Sequence, residues 1–562
     1  MHVIKQEIKR TRALPACLVA LYLCIPGFVS AAPHISGQRI KGEVRDHVHR
    51  IPDIRRLRSQ KLAPLDIQKT IGAIGTKNIV VIVCEFPSSG YNVTPGAYRI
   101  QNRANILSNI SKIASFYSEA SYGQLSLSFT VMPSTYLANR EMSYYGASDN
   151  YGNELGDTLI REMITKAGVS KGTGAGQYDA VIVLHAGYGN ESTSSGGDIW
   201  SALYSLTTTN GFTEGMIASE LEGSGASPLG VYCHEMGHQL GLPDLYATDG
   251  RSNPSRIGGW CLMDMGTWLN NGFNPSHPSA WCKQTLGWAT PSSISGAVSS
   301  INLVPAETTA SLLKLDIPTA TDQTKEYFLI EYRSKTAGAF DRSLPGEGVL
   351  IWHIDEGTID GTTLNDRYQM NTVNNYTHST VDLVPADSSH PMDNNGDSTD
   401  PWPGIKNVFS TPDSDPYNGQ VSGINSTGFA FASGQVNFYV TQIAASNNVS
   451  IDKALNYPNP SGPDYPVNPV KPNGTLTTLV FHFTRAPQDM NVVIYNMAGE
   501  KIKSVAREML LFSAAPSGNY RWVYEYDWNG RNDEGEEVAP GLYFYRVNAD
   551  GKIKVGKLAV AR

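Results

Sequence analysis

Apolar positions are sparse and irregular from about residue 33 to 76, then become dense at Asn78, where Ile79-Val80-Val81-Ile82-Val83 reads as a buried strand. Ile106 to Tyr122 carries the apolar spacing of a helix, and Leu125 to Val131 alternates like a strand. Leu155, Leu159, Ile160 and Met163 mark another amphipathic helix, and Val181 to Leu184 a second buried strand. Strands alternating with helices predict an α/β domain over 77–295. From 296 to 445 short β-like runs dominate, such as Tyr327 to Tyr332 and Gly348 to Ile354, and predict a β-rich second domain. A Pro/Asn/Gly-rich stretch at about 446–476 reads as a linker or domain edge. Beyond it, Leu479 to Phe483, Asn491 to Tyr495 and Leu542 to Val547 alternate as in a small β-sandwich, so 446–562 reads as linker plus sandwich.

The chain's 562 residues exceed one ordinary domain, in keeping with this division. Its start has the three parts of a secretory signal peptide, here 1–32: basic Lys5, Lys9, Arg10 and Arg12, an apolar run from Ala13 to Val29, and small Ser30-Ala31-Ala32. Pro15 and Pro26 interrupt the run, which is short for a membrane span. The mature chain is therefore expected outside the cell or at its surface, without a transmembrane anchor. Residues 33–76, with Arg39, Lys41, Arg45, Arg50, Arg55, Arg56, Arg58 and Lys61, read either as a flexible leader or as a pro-segment cut near Arg55–Arg58. A net charge of -8 with no long basic stripe argues against nucleic acid as a partner. Cys17 and Cys24 lie in the signal peptide; Cys84, Cys233, Cys261 and Cys282 remain, either bridged or as buried thiols.

The chemistry concentrates at Val231-Tyr-Cys-His234-Glu235-Met-Gly-His238-Gln-Leu-Gly241-Leu-Pro-Asp244. Histidines at i and i+4 of a helix leave one face and can share a tetrahedral zinc, with Glu235 as general base toward a water that the metal polarises. Gly241 suits a helix exit that needs positive φ. Asp244 follows where the reversing chain can return a third ligand. It could instead cap the turn after Pro243, in which case Glu191, Asp249 or Asp264 would be the ligand.

Around this motif the chain resembles the metzincin zinc metalloproteases, and within them the immune inhibitor A family, in ordered blocks over roughly 77–440. The blocks are Phe116-Tyr-Ser-Glu-Ala-Ser-Tyr-Gly123, Asp179 to Gly189, Ile199-Trp200-Ser201, Trp260 to Trp268, Trp281 with Leu286-Gly-Trp288, Tyr327 to Arg333, and Leu344 to Asp355. The resemblance implies a multidomain protein: a metzincin-like α/β zinc protease domain, a β-rich accessory domain and the terminal sandwich. It implies a zinc endopeptidase, made as a zymogen, acting on protein or peptide substrates. It also implies a methionine turn beneath the metal, for which Met263 is taken over Met265. No cysteine lies between Ala32 and Ile82, so a pro-segment thiol cannot block the metal unless Cys84 serves, which its strand setting disfavours; Asp46, His47 or Asp53 could cover it instead. A zinc hydrolase for a non-peptide bond, or an extracellular binding protein on a protease-like scaffold, are the competing readings. The intact His234, Glu235 and His238 favour the enzyme.

A second cluster, Asp393-Asn-Asn395-Gly-Asp397-Ser-Thr-Asp400, places oxygen ligands around a glycine as calcium sites do, and a solvated acidic turn is the alternative. Calcium there is expected to act on stability without touching the zinc site. His353, between Trp352 and Ile354, reads as a core residue of its strand. Asn456 to Pro460, Ile494 to Gly499, Trp528 to Gly535 and Pro540 to Arg546 resemble the Ig-like modules related to flagellar hook-assembly proteins and type IX sorting domains. That likeness implies bacterial secretion machinery as a partner.

Overall fold

The structure, a computed structural model, describes residues 71–94, 98–147, 155–249, 251, 253–294, 298–376, 378–387, 389–442, 451–457, 476–483, 487, 489–514 and 522–561. The expected signal peptide, most of the leader, and Asp46, His47 and Asp53 lie outside these residues.

The first principal elements are β1 (Gly75–Glu85), α1 (Arg103–Ala120), β2 (Leu125–Leu137), α2 (Gly156–Ala167), β3 (Ala180–Tyr188), β4 (Ala202–Thr209), β5 (Phe212–Leu221) and α3 (Leu229–Gln239). The sheet runs β2-β1-β3-β5-β4, parallel except for β4, which pairs antiparallel with β5 at the edge. Helices cover both faces, so Ile79 to Cys84 of β1 are all fully buried, as the unbroken apolar run requires. Ile79, Val81 and Val83 meet Ile113, Phe116 and Tyr117 of α1 and Tyr232 and Met236 of α3. Val80 and Ile82 meet Leu159, Ile160 and Met163 of α2. Packing extends ahead of the dense apolar run: Ala73 is buried, and its carbonyl accepts the Trp288 indole N–H at 2.6 Å.

There follow α4 (Ala280–Thr285), β6 (Val298–Leu303), β7 (Leu313–Asp316), β8 (Glu326–Arg333), β9 (Gly348–Asp355), α5 (Leu364–Gln369), β10 (Val381–Leu383), β11 (Ile424–Ala432) and β12 (Gln435–Gln442). One sheet contains β10-β9-β8-β7 and is extended by Ser292–Ser293; another is β11-β12-β6. Both faces of the first sheet are buried. Leu329, Leu350, Trp352 and Ile354 join the core that holds α1 and α3, whereas Phe328, Ile330 and Ile351 pack with Val436, Phe438 and Val440 of β12. Residues on either side of 295 thus share one core.

The remainder is β13 (Ile451–Tyr457), β14 (Thr477–Phe483), β15 (Met490–Asn496), β16 (Lys501–Ala506), β17 (Leu511–Ala514), β18 (Trp522–Trp528), β19 (Gly541–Ala549) and β20 (Lys552–Val560). Two four-stranded antiparallel sheets, β13-β14-β18-β17 and β16-β15-β19-β20, enclose a core of Phe481, Val492, Ile494, Trp528, Tyr545, Val547 and Leu558 among others. Within the stretch read as linker, Ile451–Tyr457 is a strand paired with β14. Ile451 points inward, whereas Leu455 and Tyr457 are exposed, so the strand carries no apolar alternation. His353 is a core residue, stacked on Tyr417 with ring centroids 4.1 Å apart and its Nε2 3.0 Å from Glu326.

Candidate metal centre

Helix α3 ends in a backbone motif that shapes the centre. The Gly241 N–H donates to the His238 carbonyl at 2.8 Å and the Leu242 N–H to the Gly237 carbonyl at 3.0 Å, with Gly241 at φ 99. This paired 5→2 and 6→1 closure needs a left-handed residue, which glycine provides without strain. The chain then reverses over the helix and returns Asp244 to the histidine face.

His234 and His238 present Nε2 atoms 3.1 Å apart, and Asp244 Oδ1 lies 3.0 Å from the first and 3.3 Å from the second. The three atoms form a small triangle buried from solvent. Both imidazoles are oriented from behind: His234 Nδ1 lies 2.9 Å from the Leu262 carbonyl, and His238 Nδ1 lies 2.8 Å from the Leu242 carbonyl. A carbonyl can only accept, so Nδ1 carries the proton in each ring and both Nε2 lone pairs face the triangle. Burial lowers the His234 pKa, favouring the neutral ring.

Two lone pairs and a carboxylate oxygen at this spacing repel unless a cation lies among them. A tetrahedral metal with bonds of about 2.0–2.1 Å keeps its ligand atoms about 3.3 Å apart, so the donor set fits zinc. Glu235 is fully buried on the same helix. Gly237 lies against Met263: a Cβ built on the glycine would stand 2.8 Å from the Met263 sulfur, so this methionine packs directly under the helix between the histidines. Met265 packs elsewhere, with Val231 and Trp268.

The alternative third ligands do not join this group. Asp249 pairs with Arg251. Glu191 accepts the Ser201 N–H at 3.1 Å. Asp264 accepts backbone N–H groups from Arg256, Ile257, Gly258 and Met265 at 2.8–3.2 Å. All four described cysteines are free thiols. Cys261 and Cys282 come closest, with sulfurs 3.9 Å apart against about 2.05 Å for a bond.

Two residues beside the centre have no reading in the sequence analysis. Asn371, just after α5, accepts the Asp244 N–H at 2.8 Å and donates its amide to Asp244 Oδ2 at 2.5 Å, leaving Oδ1 to face the histidines. Tyr246 hydrogen-bonds the same carboxylate, which together with burial holds its phenol protonated. Tyr246 lies two residues past Asp244 and could have been noticed there. Asn371 is 127 positions away, with nothing local to mark it.

In the acidic turn the structure brings together Asp397, Asp400 and the unforeseen Asp387, each offering an oxygen within 4.8 Å of the others. Asp393 stands outside that group and is exposed. Asn395 Oδ1 is buried without a hydrogen-bond partner.

Residues 174–290 match the family profile described as immune inhibitor A peptidase M6, catalytic domain. Pre-pro-metalloprotease PrtV of Vibrio cholerae is 31% identical over 128 residues, covering 20% of this chain and 14% of that protein. Immune inhibitor A of Bacillus thuringiensis subsp. alesti is 27% identical over 231 residues, covering 32% of this chain and 33% of that protein. The chain thus spans a third or less of the length of these curated relatives. Among solved structures, PorZ, a surface component of the type-IX secretion system of Porphyromonas gingivalis, aligns at 18% identity over 38% of this chain and 21% of that one. Its TM-score is 0.16. Among the described residues no helix is long and apolar enough to cross a membrane.

Proposed function

We propose, from the premise that residues 174–290 are an immune inhibitor A-type peptidase M6 domain and hence metallopeptidase in kind, that the protein is a secreted zinc-dependent endopeptidase. His234, His238 and Asp244 are the residues that would hold zinc, in a metzincin-like domain with Met263 beneath it. The observation that carries this reading is the buried triangle of two Nε2 atoms and one carboxylate oxygen with edges of 3.0–3.3 Å. Zinc, when bound, supplies Lewis acidity toward water and toward the scissile carbonyl. Glu235 is the general base: its carboxylate takes the proton of the attacking water and returns it to the departing amine. The Leu262 and Leu242 carbonyls keep both histidines in the tautomer that offers Nε2, and Asn371 holds Asp244 in place. The same reading includes activation by removal of a pro-segment, an oxygen-ligated calcium at the acidic turn, and an Ig-like terminal sandwich that engages bacterial secretion machinery.

Glu235→Gln separates binding from chemistry. The variant keeps the shape of the side chain and should retain one zinc per chain. Cleavage of casein should fall by about two to four orders of magnitude, the usual cost of losing a general base. Turnover near that of the unaltered protein would refute the assignment. A zinc-loaded, folded wild-type protein inert toward unfolded proteins would favour the binding-protein reading.

A further inference from the structure

Cys261 and Cys282 are 21 positions apart, yet their sulfurs stand 3.9 Å from each other and both residues are fully buried. Cys261 opens a tight turn, its carbonyl accepting the Asp264 and Gly266 N–H groups at 3.1 Å, and Cys282 lies in the first turn of α4. Hydrogen bonds already fasten the two stretches to each other. The Leu262 N–H donates to the His277 carbonyl at 3.2 Å, the Ser279 N–H to Cys261 Sγ at 3.3 Å, and the Cys282 N–H to Ser279 Oγ at 3.4 Å. A sulfur–sulfur bond requires the two atoms to close by about 1.9 Å, which rotation about χ1 can provide. The thiols are also unequal. Cys261 Sγ accepts the Met263 N–H at 3.4 Å as well as that of Ser279. Burial raises both thiols, but in Cys261 the Cys282 thiol and these N–H groups outweigh it and hold the group below its usual value, whereas Cys282 stays well above. Cys261 is thus the thiolate of the pair.

The chain between the two cysteines carries the floor of the candidate metal centre. The Leu262 carbonyl orients His234, and Thr267 Oγ1 lies 3.1 Å from the same ring nitrogen. Met263 packs under Gly237, and its carbonyl accepts the N–H of Leu245, the residue after Asp244, at 2.8 Å. A covalent link at the ends of this loop would hold all of these supports together.

We propose that Cys261 and Cys282 are joined by a disulfide in the exported protein, and that this bond closes the loop supporting His234, His238 and Asp244. The pairing stands on the geometry of the two cysteines, whereas its meeting with an oxidant rests on the secreted reading above and its effect on zinc on the metal-centre reading. The Cys261 thiolate attacks one sulfur of a disulfide-bearing oxidant, a thiol–disulfide oxidase of the exporting compartment or oxidised glutathione. One oxidant sulfur leaves as a thiol. The Cys282 thiolate then resolves the mixed disulfide and releases the other, so that two electrons and two protons pass to the oxidant and one sulfur–sulfur bond replaces two S–H bonds. Full burial of both residues sets this step before the core closes and shields the finished bond from reductants.

A thiol count tests the pairing. Mature protein recovered outside the producing cells, denatured and alkylated without reduction, should react at Cys84 and Cys233 alone, and its digest should contain two peptides joined through Cys261 and Cys282. Reduction should make all four cysteines reactive. Four reactive thiols in the exported chain, or a bridge to Cys84 or Cys233, would overturn the pairing. The brace is tested on the full chain refolded with zinc, either with oxidised glutathione or with a phosphine reductant. The oxidised form should melt about 6–12 °C higher, as closure of a loop of about twenty residues provides, and should release zinc to a chelator about tenfold more slowly. Cys282→Ser should melt alike under both conditions. Equal melting and zinc release in the two wild-type forms, or a difference that persists in Cys282→Ser, would overturn the brace. A chain retained inside the cell would refute the secreted reading while still forming the bond in glutathione. A chain that never retains zinc in either form would refute the metal-centre reading while leaving the thiol count as expected.

Discussion

Removing the Asn371 side chain should loosen zinc without dismantling the fold. In Asn371→Ala the Asp244 N–H loses its acceptor at 2.8 Å and the Asp244 carboxylate loses a donor at 2.5 Å. Hydrogen bonds to charged groups contribute about 1.5–3 kcal/mol net, and a buried N–H left unsatisfied costs about 1–3 kcal/mol. When zinc is bound, the lost donor is felt as greater freedom of Asp244 to rotate away from the histidines. Supports of this kind change metal affinity by about 10–100-fold, or roughly 1.4–2.7 kcal/mol, which agrees with one charge-assisted bond. The assay is competition for zinc against a chromogenic chelator at fixed pH, run beside thermal melting of the zinc-loaded protein. Zinc affinity should fall within that range, and cleavage at saturating zinc should recover to a large part of the wild-type rate. A variant that binds zinc as tightly as the wild type would refute the positioning role. One that loses stability but not affinity would reduce Asn371 to a packing residue.

Glu119 joins α1 to the second sheet region, accepting His277 Nε2 at 3.1 Å, the Ala339 N–H at 2.8 Å and the Phe340 N–H at 3.1 Å. Burial opposes its ionisation, but these donors outweigh it and depress the carboxyl below its usual value, so its contribution is present above the unfolded pKa and lost as pH falls through the folded one. Melting of the wild type should therefore drop more steeply on acidification below about pH 4.5 than that of Glu119→Gln, and parallel profiles would contradict the sign. A chain ending near Ser446 should stay folded and cleave a short peptide, because the terminal core is drawn from residues between Ile451 and Val560. Full loss of activity in a folded truncation would refute that independence, and normal export in the native host without the module would refute its sorting role.

The elements legible in the sequence are those whose cause is local. The run from Ile79 to Val83 demanded burial on both faces and received it between α1 and α2. His234, His238, Gly241 and Asp244 lie within eleven positions, so helix geometry and one glycine turn suffice to bring them together. Asn371 and Asp387 escaped because their positions depend on how distant loops pack. Asn371 belongs to a turn after α5 and Asp387 to the loop after β10, and neither has a periodicity or spacing that refers to its partner. The strand Ile451–Tyr457 escaped for another reason: turn-forming residues dominate the window around it, and its apolar residues do not alternate, since a register shift follows Ile451 and Leu455 and Tyr457 are exposed.

Polar and apolar contacts cross the expected boundary between the catalytic and accessory regions near residue 295. Residues 240–264 form loops and short turns, so few of their backbone polar groups have ladder partners, and buried ones must be satisfied from elsewhere. The segment 368–400 supplies those partners. Tyr368 donates its hydroxyl to the Gly241 carbonyl, Asn374 its amide to the Leu245 carbonyl at 2.9 Å, Asn375 accepts the Thr248 N–H at 2.8 Å, and Asp400 accepts the Trp260 indole. With Asn371 on Asp244, each stretch of the loop that carries the candidate ligand rests on side chains from beyond residue 295. Apolar packing runs the same way, since Leu350, Trp352 and Ile354 belong to the core of α1 and α3. The β-rich region is thus the second wall of the candidate metal centre, and the only self-contained unit among the described residues outside it is the terminal sandwich.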